Sequence, residues 1–126
     1  MDLHEYFEKT KGVGVLATAD SSGKVDAAIY ARPHVLEDGT LAFIMADRLT
    51  HHNLLSNPHA AYLFVETGSI SEGHRFFLKK IFEEKNSERM KTMRRSCLCN
   101  QEKDADGQDR FLVIFRIEKK LPLVGS

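Results

Sequence analysis

Two arginines and a short polar run have the residue types that bind phosphate or another anion. Arg32 falls in an extended stretch, and Arg48, Thr50 and His51 stand where a short helix opens. The first backbone N–H groups of a helix have no intrahelical acceptor, and guanidinium groups match phosphate geometry, so this segment predicts an anion pocket. The alternative for Arg32 is an ordinary ion pair with a carboxylate such as Asp26, and spacing alone favours that alternative.

The other residues of this segment also have two interpretations each. The Thr50 hydroxyl can cap the helix as well as touch an anion, and Arg48 can be a solvated charge. A neutral His51 ring in the first turn can donate to phosphate, although exposed histidines are common. His34 shares a strand face with Arg32, so it lies either against a ligand or on the surface.

The histidines and cysteines lack the spacing of a metal site. His51 and His52 are adjacent, so on a helix their side chains point about 100° apart. Cys97 and Cys99 are separated by a single residue, and structural zinc sites use wider spacing and a second pair. Motifs of serine hydrolases, zinc proteases and dithiol redox proteins are absent from the sequence, so it predicts no metal and assigns no catalytic residue.

The elements that must position these residues follow one another from residue 25 to residue 58. Alternating apolar and polar residues predict a strand over 25–35, with its apolar residues buried and Arg32 on the polar face. A turn at 37–39 then leads to a second antiparallel strand over 41–46. The helix is predicted over 51–57, capped by Thr50 and ended by a proline.

The rest of the chain predicts short strands and helices without a strand-helix-strand repeat. Apolar residues on both faces of the strand near residue 80 suit either a partner subunit or a few exposed aromatics. The other predicted elements are a helix at 3–10 capped by Asp2, strands at 12–18, 59–66, 74–82 and 111–117, a helix from 86 or 87 to about 97, and a tail at 119–126 that drapes or frays. This pattern predicts a mainly β fold, an antiparallel barrel of six or seven strands with two or three short helices.

Composition limits the classes of function. The 126 residues suit one domain that would gain from oligomerisation, and 18 basic and 18 acidic residues cancel. A neutral chain has no overall field to attract nucleic acid or a membrane surface. The polar N-terminus, the short apolar runs and the closely spaced cysteines predict a cytoplasmic protein.

Three segments resemble a known family: Ala31-Arg32-Pro33, residues 39–43, and residues 50–58 with their Asn-Leu-x-x-Asn-Pro close. They are similar to the FMN-binding split β-barrel family related to pyridoxamine 5′-phosphate oxidase, best over residues 12–66. The resemblance implies a single split β-barrel domain over residues 1–126 that binds FMN noncovalently. Many relatives have Lys or Arg where this chain has Thr50, which offers a hydroxyl without a charge.

The resemblance also implies a site and an assembly. Arg32, Thr50 and His51 would contact the phosphate with Arg48 in support, and residues 44–46 would lie along the flavin ring. In the family the flavin lies at a two-fold interface, so a homodimer is implied. The implied cofactor-binding residues are Arg32, Ile44, Met45, Ala46, Arg48, Thr50 and His51.

The function implied is that of a flavoprotein oxidoreductase acting on an unidentified small molecule with a small-molecule electron donor. The C-terminal end has no match to the substrate-binding segment of the oxidases, which favours general flavin reduction over vitamin B6 synthesis. Three alternatives stay open: a flavin-binding or flavin-sensing module without turnover, a haem- or deazaflavin-binding member of the same fold, and a structural dimer with an empty pocket.

Overall fold

The computed structural model describes residues 2–93 and 109–125, and these form a mainly antiparallel β structure. No helix among these residues is long and apolar enough to span a bilayer. The helices are α1 (Leu3–Lys9), α2 (Leu49–Ser56) and α3 (Glu88–Thr92). The strands are β1 (Gly12–Ala19), β2 (Val25–Ile29), β3 (His34–Val35), β4 (Leu41–Ala46), β5 (His59–Glu66), β6 (Gly73–Lys85) and β7 (Arg110–Pro122).

The strands form one sheet that curls around a single main core. Their order is β2-β1-β5-β6-β7-β4-β3, and every pair is antiparallel. Two irregularities in β6, at Phe77/Leu78 and Lys80/Phe82, bend the longest ladder. As a result Phe43 of β4 reaches Tyr62 of β5, with ring centroids 4.9 Å apart, across two intervening strands. The predicted antiparallel barrel of six or seven strands with two or three short helices is confirmed, and the described residues form seven strands and three helices.

Helix α1 closes one end of the barrel, and its predicted cap is confirmed. Asp2 caps it by accepting a hydrogen bond from the Glu5 backbone N–H at 3.3 Å. Phe7 is fully buried and packs against an aromatic cluster that includes Phe64 and Phe76. The helix therefore contributes a core side chain as well as covering the barrel end.

The predicted strand at 25–35 is wrong in its extent and in its buried face. The chain forms β2, which pairs with β1, and then the two-residue β3, which pairs with β4. Val25 and Ile29 are 80% and 66% exposed, while Asp26 and Ala28 are half-buried. Local alternation identifies two faces, but the elements that pack against an edge strand decide which face is buried.

Two predicted boundaries, one of them at α2, need correction. Helix α2 begins at Leu49 with Arg48 as its N-cap, so Thr50 lies inside the first turn and does not cap it. The predicted tail is also wrong, because β7 continues to Pro122 beside β6. Arg75 fixes that extension by donating to the Pro122 carbonyl at 2.7 Å.

The predicted helix after residue 86 is confirmed only at its start. Ser87 is the N-cap of α3, whose Met90 is buried over β4 and β7 beside Leu112 and Ile114. The remainder of that prediction, with both cysteines, lies outside the described residues.

Candidate functional site

The first turn of α2 follows the end of β4 and begins at an arginine. Arg48, the N-cap, has an extended backbone and an exposed side chain, and no side chain caps the helix. Within residues 2–93 and 109–125, no ion pair involves the Arg48 guanidinium. The first backbone N–H groups of α2 therefore have no side-chain cap, and the N-cap residue is an arginine, which is an arrangement that favours an anion.

Helix α2 is held against the sheet by a buried amide. Asn53 donates from Nδ2 to the Thr18 hydroxyl at 3.0 Å, and both residues are 4% exposed. Leu54 packs into the main core beside it. The sequence marked the Asn-Leu-x-x-Asn-Pro run but gave no role to Asn53, which positions the first turn relative to β1.

His51 is enclosed by the protein's own groups. The ring is 3% exposed, with Nδ1 2.9 Å from Asp47 Oδ1 and Nε2 3.0 Å from both carboxylate oxygens of Glu83. It also stacks on Phe111. Both ring nitrogens are therefore engaged, and in this arrangement neither can donate to a phosphate.

Glu83 belongs to a second ion pair as well. Lys80 Nζ donates to its Oε1 at 2.6 Å. Burial acts to raise the pKa of Glu83, but hydrogen bonds from Lys80 and His51 outweigh it and hold the pKa below its usual value. Glu83 was not predicted as a site residue, because only the folded sheet brings it to α2.

Thr50 also contacts an acidic side chain. Its hydroxyl donates to Asp26 Oδ2 at 3.4 Å, and Thr50 is 4% exposed. Asp26 reaches it from β2, on the strand face that the alternation had predicted to be polar and exposed. The predicted phosphate contact is thus close to a carboxylate.

Arg32 lies at the other end of β1 from Thr50. Its Nη1 donates to the carbonyls of Phe7 at 2.7 Å and Thr10 at 3.2 Å, which stabilises the C-terminal end of α1. At about 3.3 Å per residue, β1 runs roughly 20 Å from Gly12 to Thr18. The structure therefore brings Arg48, Thr50 and His51 together but separates Arg32 from them within one chain.

The strand that leads into α2 offers backbone groups to a ligand. Met45 is buried in the main core and Ile44 in the smaller cluster under α3, while Ala46 is half-buried. Strand β3 pairs only with Leu41 and Ala42. Within the described residues, the β4 edge opposite β7 therefore has no strand partner over residues 43–46.

No family model matches this sequence, and no curated protein matches it. Solved structures do match its fold. An FMN-binding protein from Syntrophomonas wolfei has a TM-score of 0.73 at 19% identity, over 98% of this chain and 85% of its own. A candidate pyridoxamine 5′-phosphate oxidase from Lactobacillus delbrueckii has a TM-score of 0.65 at 16% identity, over 96% and 92%.

A third similar structure is an F420 reductase, with a TM-score of 0.57 at 19% identity, over 94% of this chain and 95% of its own. At these identities the likeness concerns the fold. The chain therefore has the split β-barrel architecture found among flavin-binding proteins.

Proposed function

We propose that this protein binds a flavin noncovalently, with FMN as the expected form, and works as a flavin-dependent oxidoreductase. The observation that carries the proposal is the uncapped first turn of α2, which follows β4, together with the β4 edge that has no strand partner over residues 43–46 among the described residues. It occurs in a fold whose solved examples include an FMN-binding protein. When bound, the flavin would supply hydride or electron transfer, and the chain would hold and orient it.

The flavin ring suits the free edge of strand β4. The pyrimidine side of a flavin has amide-like donors and acceptors, and the free edge of β4 over residues 43–46 has backbone donors and acceptors in a row. Because Ile44 and Met45 direct their side chains into two cores, only their backbone groups remain for such contacts. These two residues would therefore recognise the ring through the main chain.

The phosphate fits less well. Arg48 and the first N–H groups of α2 favour it. However, Thr50 and His51 contact carboxylates, and Arg32 is too distant to reach the same anion in one chain. Any contact with the phosphate would therefore come only from Arg48 and the backbone, and Thr50 and His51 would shape the first turn.

A homodimer is the second part of the proposal, and the outer face of β2, β1 and β5 supports it. One row across this face is Ile29-Val15-Leu63 and the next is Ala27-Ala17-Ala61, all apolar. The row continues to Phe77 of β6, which is 36% exposed. A continuous apolar sheet face on a small, neutral chain suits a second copy of the same surface. Packing there would add the partner's residues around the flavin.

Flavin titration tests the binding part of the proposal. Purified protein is mixed with FMN, and the visible spectrum and the quenching of flavin fluorescence are followed. Saturable one-to-one binding with a Kd in the micromolar range or below is expected. A protein that leaves both signals unchanged would refute the proposal, and a Soret band in the protein as purified would point to haem.

Reduction tests the enzymatic part. NADH or NADPH is added anaerobically to the flavin complex, and the absorbance near 450 nm is followed before and after air is admitted. Bleaching faster than that of free FMN, with recovery in air, is expected of an oxidoreductase. Binding without accelerated bleaching by either donor would instead support a flavin-binding module.

A further inference from the structure

We propose, on the basis of the flavin-binding function above, that this site recognises the flavin ring and is nearly indifferent to the 5′-phosphate, so that riboflavin and FMN bind about equally. The juxtaposition that carries this is the pair of carboxylates, Asp26 and Asp47, that contact side chains of the α2 first turn. Of the two carboxylates, Asp26 should do more to cancel the gain from a phosphate, since it contacts the one hydroxyl of that turn.

The charges around the first turn do not favour a dianion. Leaving the histidines aside, Arg48 is the one cation at the turn among the described residues, and Asp26 and Asp47 oppose it. Lys80 and Glu83 form their own pair at 2.6 Å, so their charges cancel nearby. The positive end of a helix counts for about half a charge, which is too little to compensate a second carboxylate.

The side-chain donors of the turn, unlike its backbone N–H groups, already contact carboxylates. The Thr50 hydroxyl donates to Asp26, and His51 is enclosed between Asp47 and Glu83. A phosphate could use these donors only by displacing carboxylates that are already in place. The cost of that displacement would cancel most of the gain from the phosphate contact.

The ring contacts do not depend on these charges. The free β4 edge over residues 43–46 is backbone, and riboflavin and FMN present it with the same isoalloxazine. Affinity would therefore come from the part that the two flavins share. Without the Asp26 charge, the phosphate should increase the affinity for FMN above that for riboflavin, which it does not do in the wild-type protein.

The experiment compares the Kd of FMN with that of riboflavin by fluorescence titration at low ionic strength. In the wild-type protein the two values should agree within about threefold. Asp26→Asn keeps the shape and an acceptor for Thr50 but removes the charge, and it should tighten FMN relative to riboflavin by about fivefold or more. Asp47→Asn should act in the same direction. Glu72→Gln removes a carboxylate charge near Tyr6 of α1 instead, and it should leave the ratio of the two Kd values unchanged.

The outcomes separate the two proposals. Wild-type protein that binds FMN more than about a hundredfold tighter than riboflavin would overturn this inference and leave the flavin function standing. The inference would also be overturned if both aspartate variants kept the wild-type ratio of the FMN and riboflavin Kd values and had normal melting temperatures. Binding of neither flavin would refute the function on which it rests.

Discussion

The imidazole of His51 lies flat against the ring of Phe111, with centroids 3.9 Å apart and planes within 18° of parallel. This contact joins the first turn of α2 to the start of β7. Glu83, on the neighbouring strand β6, closes the same contact from the side of Nε2. The helix that carries the candidate site is thus fixed to two strands by one buried ring.

Replacing Glu83 tests this attachment. Glu83→Gln retains the volume but removes the charge that faces His51 and Lys80, and at pH 7 it should lower the free energy of unfolding by about 1–2 kcal/mol. Since the pKa of Glu83 is lowered in the fold, its contribution is present above the unfolded-state pKa and is lost as pH falls through the folded pKa. Urea unfolding at pH 7 and at progressively more acid pH should show the difference in unfolding free energy between the two proteins shrink as the pH falls.

Glu88→Gln is the matched control, because that glutamate is highly exposed and pairs with Lys91 only at 3.5 Å. Its effect should stay within about 0.5 kcal/mol. Equal losses of unfolding free energy in Glu83→Gln and Glu88→Gln would show that the buried contact adds nothing to stability.

The second prediction concerns pH and His74. Burial lowers its pKa, and Lys120 adds to the effect, while Glu66 opposes it. The unfolded chain takes up the proton more readily than the folded protein, so protonation of His74 favours unfolding. The free energy of unfolding should therefore decline as pH falls from about 6.5 toward the pKa of His74 in the fold. His74→Phe should flatten the decline of the melting temperature between pH 7 and pH 5 and preserve the edge contact with Tyr6. A slope identical to that of the wild type would contradict this assignment.

The third prediction is that Gly14 is required for packing. A Cβ there would lie 1.9 Å from the hydroxyl of Tyr62, which donates to the carbonyls of Tyr30 and Ala31. Gly14→Ala should therefore cost about 3 kcal/mol or more of unfolding free energy, because it overpacks a buried site and disturbs a hydrogen bond. In Gly39→Ala the added methyl meets nothing, and only the positive φ of +86° is strained, so about 1 kcal/mol is expected. Denaturant unfolding measures both losses. A larger loss in Gly39→Ala than in Gly14→Ala would show that this explanation is wrong.

Local patterns in the sequence predicted most of the elements but not their contacts or all of their boundaries. Asp2, directly before the helical segment, predicted the α1 cap, and the turn at 37–39 predicted the pairing of β3 with β4, because those interactions form between near neighbours. The buried face of β2 was mistaken, since Val25 and Ile29 look like core residues until the neighbours of the strand are known.

The sequence likewise predicted some of the candidate site residues but not their partners. Arg48, Thr50 and His51 were predicted together because they are close in the chain. The partners of the last two residues are not: Thr50 and Asp26 are 24 residues apart, and His51 and Glu83 are 32 apart. Charge balance at the site therefore depended on tertiary contacts that no spacing rule encodes.

The fourth prediction separates a structural from a ligand-binding role for Arg32. Arg32→Met removes the donors to the carbonyls of Phe7 and Thr10, so α1 should loosen and the melting temperature should fall by several degrees, corresponding to about 1–2 kcal/mol. The affinity for FMN relative to riboflavin should stay unchanged, because the guanidinium lies far from the α2 first turn. A selective loss of FMN affinity with an unaltered melting temperature would instead assign Arg32 to the phosphate.

The last prediction concerns the apolar outer face of β2, β1 and β5. Ile29 lies at its edge and is 66% exposed in one chain, so Ile29→Glu should cost little in a monomer and much in a two-fold interface, where the charge is buried twice. Light scattering after size exclusion should show the wild type as a dimer and Ile29→Glu as a folded monomer with weakened flavin binding. Ile70→Glu, in the β5–β6 loop where Ile70 is 95% exposed, is the control and should remain dimeric. A monomeric wild type, or an Ile29→Glu variant that stays dimeric, would show that this face is not the interface.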